Sequence, residues 1–133
     1  MAAVAAAKMG AHACAADLDA NACFSAGELA RRHAVLVETW VGNPLADAAF
    51  TSGFDVILGG DLFYNQPTSV EGASAVATWL ARGARVYLAD AGRPFFNACG
   101  LSRLAAFDVD VPGTVEGVSR RTVAVYGPTI GER

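Results

Sequence analysis

The segment Phe54-Asp-Val-Ile-Leu-Gly-Gly-Asp-Leu-Phe-Tyr64 leaves this chain few folds to choose from. An apolar strand runs into two glycines, then presents a carboxylate and an aromatic residue three positions apart. An apolar strand of this kind belongs inside a sheet covered by helices, as parallel strands usually are. Open α/β sheets bind their ligands at the carboxyl ends of the strands. Asp61 and Tyr64 are expected at that edge.

The flanking sequence supplies the helices and strands that such a sheet needs. Residues 1–9 are Ala-rich and read as a helix stopped by Gly10. Residues 12–16 form a short apolar strand running into Asp17 and Asp19. Residues 21–32 carry Phe24, Leu29 and alanines at helical spacing, and residues 34–37 and 55–58 read as strands. The alternation repeats with a helix over 70–81 (stripe Val76, Trp79, Leu80), a strand over 85–89 and a short helix over 97–105. Two closing strands, 107–111 and 122–126, flank a loop at Pro112-Gly113, and a frayed tail follows from Gly127. Alternating strands and helices imply an α/β fold of the Rossmann-like, doubly wound, mostly parallel kind. The last two strands, with no helix between them, should pair antiparallel.

With 133 residues, the sequence suffices for one core and shows no linker or repeat, so residues 1–133 read as a single domain. A net charge of −3 leaves no electrostatic footprint for nucleic acid or an anionic membrane, and Arg31-Arg32 and Arg120-Arg121 are too short to be basic patches. Lys8 and Gly10 cut the first apolar run well short of the ~20 residues that cross a bilayer. Cys14, Cys23 and Cys99 fit neither a disulfide framework nor a zinc knuckle, and read as small buried thiols in a reducing cytoplasm. His12 and His33 lack a carboxylate at metal-ligand spacing, no Ser sits in a nucleophile elbow, and the one lysine, Lys8, lies outside the expected crevice.

Three expected strand ends carry acids: Asp17 and Asp19, Asp61, and Asp90. Each alone has a local explanation, Asp19 as a helix cap near Asn21 and Asp90 as a loop stabiliser. Together they favour a crevice for a ligand with hydroxyls or positive charge.

These residues carry a resemblance. Asp61-Leu-Phe-Tyr64 after Val-Ile-Leu-Gly-Gly resembles the acid-x-x-aromatic motif of the seven-β-strand, S-adenosylmethionine-dependent methyltransferases that modify protein lysines. The likeness is to the branch acting on the electron-transfer flavoprotein β-subunit and its nicotinamide-methyltransferase-like bacterial relatives. Tyr87-Leu-Ala-Asp-Ala-Gly-Arg93 is similar to that branch's Gly-Asp-Pro-Gly-Arg loop, with Ala91 replacing the proline, and Ala16-Asp-Leu-Asp19 resembles its Asp-Ile-Asp turn. The resemblance implies S-adenosyl-L-methionine as cofactor, with Asp17 on the ribose hydroxyls and Gly60 and Asp61 also on the cofactor side. It implies Asp61 and Tyr64 as catalytic residues, and Phe63, Tyr64, Asp90 and Arg93 around a substrate that is a protein lysine or a small amine.

One departure is plain. The family opens with a strand and a Gly-x-Gly-x-Gly turn around the methionine end of the cofactor, and no such sequence occurs here. Residues 1–8 align with the helix after that turn, so the domain reads as N-terminally incomplete. Three accounts stay open: an upstream segment, two strands closing up, or a degraded fragment. Central strands left without neighbours would favour self-association. A non-catalytic remnant or interaction module of the same fold is the alternative to an enzyme.

Overall fold

The structure, a computed structural model, describes residues 1–111 and 119–129. The loop expected at Pro112-Gly113 and the last four residues, 130–133, lie outside them. The chain divides into two compact units, Met1–Phe50 and Thr51–Arg133.

In the first unit, helix α1 (Ala2–Lys8) ends where Gly10 turns at φ 90°. Strand β1 (Ala13–Asp17), helix α2 (Ala20–Arg32) and strand β2 (Val37–Val41) follow. Asp19 caps α2 as expected, its side chain accepting from the Asn21 N–H. β1 and β2 pair in parallel from Ala13↔Val37 to Asp17↔Val41, so α2 is the crossover of a βαβ unit. The strand expected over 34–37 begins only at Val37. The preceding residues instead close α2: Ala34 adopts φ 54°, its N–H bonding Arg31 O while the Val35 N–H bonds Ala30 O. That is a Schellman stop built on alanine rather than glycine. Trp40 stacks on Phe50 at 3.9 Å, and the buried Cys23 thiol reaches Trp40 O at 3.3 Å.

A short helix α3 (Ala48–Thr51), with the Asp47 carboxylate accepting from Phe50 N, has no counterpart among the expected elements. The second unit then runs β3 (Val56–Gly60), α4 (Gln66–Ala81), β4 (Arg85–Asp90), β5 (Ser102–Asp110) and β6 (Arg120–Gly127). Its sheet has the order β3-β4-β6-β5, with β3 and β4 parallel and β6 antiparallel to both of its neighbours. The fold is mixed α/β, parallel-rich with a C-terminal antiparallel strand, as expected. β1 and β3 belong to different sheets.

Helix α4 starts four residues earlier than its apolar stripe suggests. Asn65 and Thr68 form a capping box and Pro67 sits in the first turn, all compatible with a start at Gln66. It ends in a Schellman stop on Gly83, φ 90°. Val76 and Trp79 of α4 pack into the core with Val86 and Leu88 of β4, and the Trp79 indole N–H bonds the Thr51 hydroxyl. The helix expected over 97–105 is absent. Cys99 at φ 53° and Gly100 at φ 81° break any helical run, and β5 begins two residues later. Nor is Gly127 the start of a frayed tail: it pairs with Ser102, and a Cβ there would lie 2.7 Å from both Leu104 and Tyr87 side-chain carbons.

Candidate functional site

At the carboxyl end of β3 the chain makes a sharp local turn. Gly59 is held there by packing, since a Cβ would lie 2.6 Å from Leu62 and 3.0 Å from Leu88. Gly60, the last residue of β3, has open space where a Cβ would be. Asp61 follows at φ 54°, the left-handed region that aspartate tolerates better than most residues. Its N–H bonds Ala89 O, extending the β3–β4 ladder by one rung.

The Asp61 carboxylate faces a guanidinium. Arg93 Nε donates to Oδ1 at 2.7 Å and Nη2 donates to Oδ2 at 2.8 Å, a side-on fork engaging both oxygens. The pair is partly exposed, with 31% of the Arg93 side chain and 52% of the Asp61 side chain open to solvent. Asp61 thus reaches solvent with its charge balanced.

Arg93 stands in the turn after β4, and Asp90 shapes that turn. Asp90 Oδ1 accepts the N–H groups of Gly92 and Arg93, both at 2.7 Å, while Gly92 takes φ 81°. Asp90, expected at the substrate, is only 4% exposed, and its visible work is the turn. Phe63, also expected at the substrate, is 1% exposed. It meets Phe96 edge-on at 5.4 Å and lies against the open Cα of Gly72, so it floors the site from within the core. Tyr64, by contrast, is about half exposed, immediately before the cap of α4. The Ser69 hydroxyl, in the first turns of α4, donates to Phe95 O at 2.6 Å and ties down the loop after Arg93. Asp61, Arg93 and Asp90 therefore form one connected cluster. The fork between Asp61 and Arg93 had no signal in sequence spacing, because the two residues are thirty-two positions apart.

Asp17 belongs to the first unit. It is the exposed last residue of β1, and its Oδ1 accepts from the Asp19 N–H at 2.9 Å, leaving a carboxylate at a strand end beside a helix start. A concavity of about 390 Å³ lined by Gly27, Ala30, Leu36 and Val37 opens at the opposite, amino end of β2. Among the described residues, no group of three His, Cys, Asp or Glu side chains could hold a metal ion, and no helix is long and apolar enough to cross a membrane.

No family model and no curated protein matches the sequence. Solved structures do match. An uncharacterized protein of Listeria monocytogenes serotype 4b superposes with a TM-score of 0.58 at 13% identity, over 98% of this chain and 57% of that one. The N-methyltransferase NodS of Bradyrhizobium japonicum, solved with S-adenosyl-L-homocysteine, gives 0.58 at 11% identity over 89% of this chain and 67% of that one. Sp1610 of Streptococcus pneumoniae, described as a candidate tRNA (m1A22) methyltransferase, gives 0.52 at 16% over 98% and 60%. The chain thus has the Rossmann-like fold found in S-adenosylmethionine-dependent methyltransferases. It spans between 57% and 67% of the length of these three structures.

Proposed function

We propose that this chain is an S-adenosylmethionine-dependent methyltransferase domain whose acceptor is an amine, a protein lysine in the first instance. The observation that carries the reading is the Asp61 carboxylate, held in a left-handed turn at the carboxyl end of β3 in a fold that NodS uses with S-adenosyl-L-homocysteine bound. Methyl transfer from a sulfonium is an in-line displacement, so catalysis comes chiefly from placing two reactants. In this reading Asp17 accepts the ribose hydroxyls, a role suited to an exposed strand-end carboxylate. The open Cα side of Gly60 lets the cofactor approach the backbone. Asp61 orients the attacking N–H, and Tyr64 offers a ring face to the cationic methyl group. The acceptor must attack as a neutral amine. Three free thiols suit a reducing compartment such as the cytoplasm.

A second reading is a non-catalytic module that keeps the fold without holding the cofactor. Incubation with isotopically labelled S-adenosylmethionine and either a lysine peptide or butylamine, read by mass spectrometry, separates these. A methylated peptide supports the first reading. Methylation of butylamine alone moves the acceptor to small amines. No transfer, together with no calorimetric binding of S-adenosyl-L-homocysteine, leaves the module.

A further inference from the structure

Two costly features meet at one point of the second unit. Asp61 sits at φ 54°, a backbone conformation that L-residues other than Asn and Asp rarely adopt. Asp90 is buried, and among the described residues its Oδ2 has no hydrogen-bond partner although Oδ1 engages two amides. A buried carboxylate oxygen without a partner costs stability, and such groups persist where the arrangement they enforce is needed. The arrangement enforced here is specific. Asp90 fixes the backbone of Gly92 and Arg93, and this fixes the base of the Arg93 side chain. The Arg93 fork in turn fixes both oxygens of Asp61.

We propose that Arg93 is the positioning residue of this site and that Asp90 is the anchor that positions Arg93, so that Asp61 presents its carboxylate in one orientation. Arg93 acts through Asp61. Its fork leaves Asp61 only its outward lone pairs for a ligand N–H. The catalytic meaning rests on the methyltransferase reading, while the relay itself does not.

The relay is tested by NMR hydrogen exchange of the Arg93 Nε–H in the full chain. Asp61→Asn, which suits the same left-handed backbone, removes the charged acceptor, and exchange should accelerate tenfold or more. Asp90→Ala leaves Asp61 and Arg93 intact yet should accelerate it as much. Asp90→Asn keeps an oxygen for the two amides and should restore exchange to within threefold of the unaltered chain. Unchanged exchange in Asp90→Ala, or no rescue by Asp90→Asn, overturns the relay. If Asp90→Ala does not fold, the unaltered chain decides the matter. The Gly92 and Arg93 backbone amides and the Arg93 Nε–H should then show protection within threefold of one another, and a tenfold gap overturns the relay. In a chain that transfers methyl groups, Arg93→Gln should lower kcat at least tenfold while changing S-adenosyl-L-homocysteine affinity less than twofold. A kcat within twofold of the unaltered chain would remove the catalytic role. A chain that binds no cofactor defeats the methyltransferase reading and leaves the exchange result standing.

Discussion

Single residues divide the proposed work by what each atom can reach. Asp61→Asn keeps shape and backbone preference but loses charge, so methyl transfer should fall steeply while cofactor affinity changes little, because in the proposed reading the carboxylate faces the nucleophile. Asp17→Asn should do the reverse, weakening cofactor binding by ~10-fold or more through loss of a charged acceptor. Calorimetry and turnover at saturating cofactor measure the two arms, and a crossed result would exchange the roles of the two carboxylates. The thiols offer a test that needs no activity. Burial pushes the Cys14 thiol up, with the nearby Glu38 charge adding to it, and burial does the same to Cys99. A raised thiol pKa means less thiolate at pH 8, so iodoacetamide should modify both sites more slowly there than an exposed cysteine peptide. Their rates should go on rising above pH 9. Mass-spectrometric labelling against pH checks this, and fast modification at pH 8 would contradict it.

Whole elements were legible in the sequence where periodicity met an unambiguous stop, and illegible where a stop was built from the wrong residue. Gly10 and Gly83 marked the ends of α1 and α4, and both take φ 90°. Ala34 ends α2 in the same left-handed conformation with a Cβ to accommodate, so Val35 and Leu36 looked like strand while lying in the connection between that stop and β2. Cys99 hid a second left-handed position in the same way, which is why a helix was expected where β5 begins. At the site, the acids at strand ends were readable because aspartate after an apolar run is a local signal. The burial of Phe63 and Asp90 was not, because it depends on packing against Phe96 and Gly72 and on a turn that closes in space. Ala34→Gly is therefore expected to stabilise the first unit by roughly 1 kcal/mol, the cost of a left-handed L-residue less the extra entropy of glycine in the unfolded chain. A small rise in melting temperature checks this, and a fall would show that Ala34 packs better than its backbone suffers. Gly59→Ala should act oppositely, destabilising by about 1–3 kcal/mol as its methyl forces Leu62 and Leu88 apart. Chemical denaturation measures the loss.

At the scale of the whole molecule, the strands that the sequence marked as central are each paired on one side only among the described residues. Among the described residues β3 is hydrogen-bonded only to β4, and β1 only to β2. On β3, Val56 and Leu58 remain 39% and 47% exposed, with no charged side chain between Val56 and Gly60 to repel another strand. Natural edge strands are usually blunted by lysine, proline or a bulge, and β3 carries none of these. The chain is accordingly expected to self-associate through β3 in the micromolar range, its apparent mass rising with concentration in sedimentation velocity. Leu58→Lys places a charge on that strand without touching Asp61 or the core residues Val86 and Leu88, so it should shift the chain toward monomer. It should leave the far-ultraviolet dichroism unchanged. A chain that sediments as a monomer at every concentration, with a sharp and reversible melt independent of concentration, would show that the β3 edge is satisfied in solution.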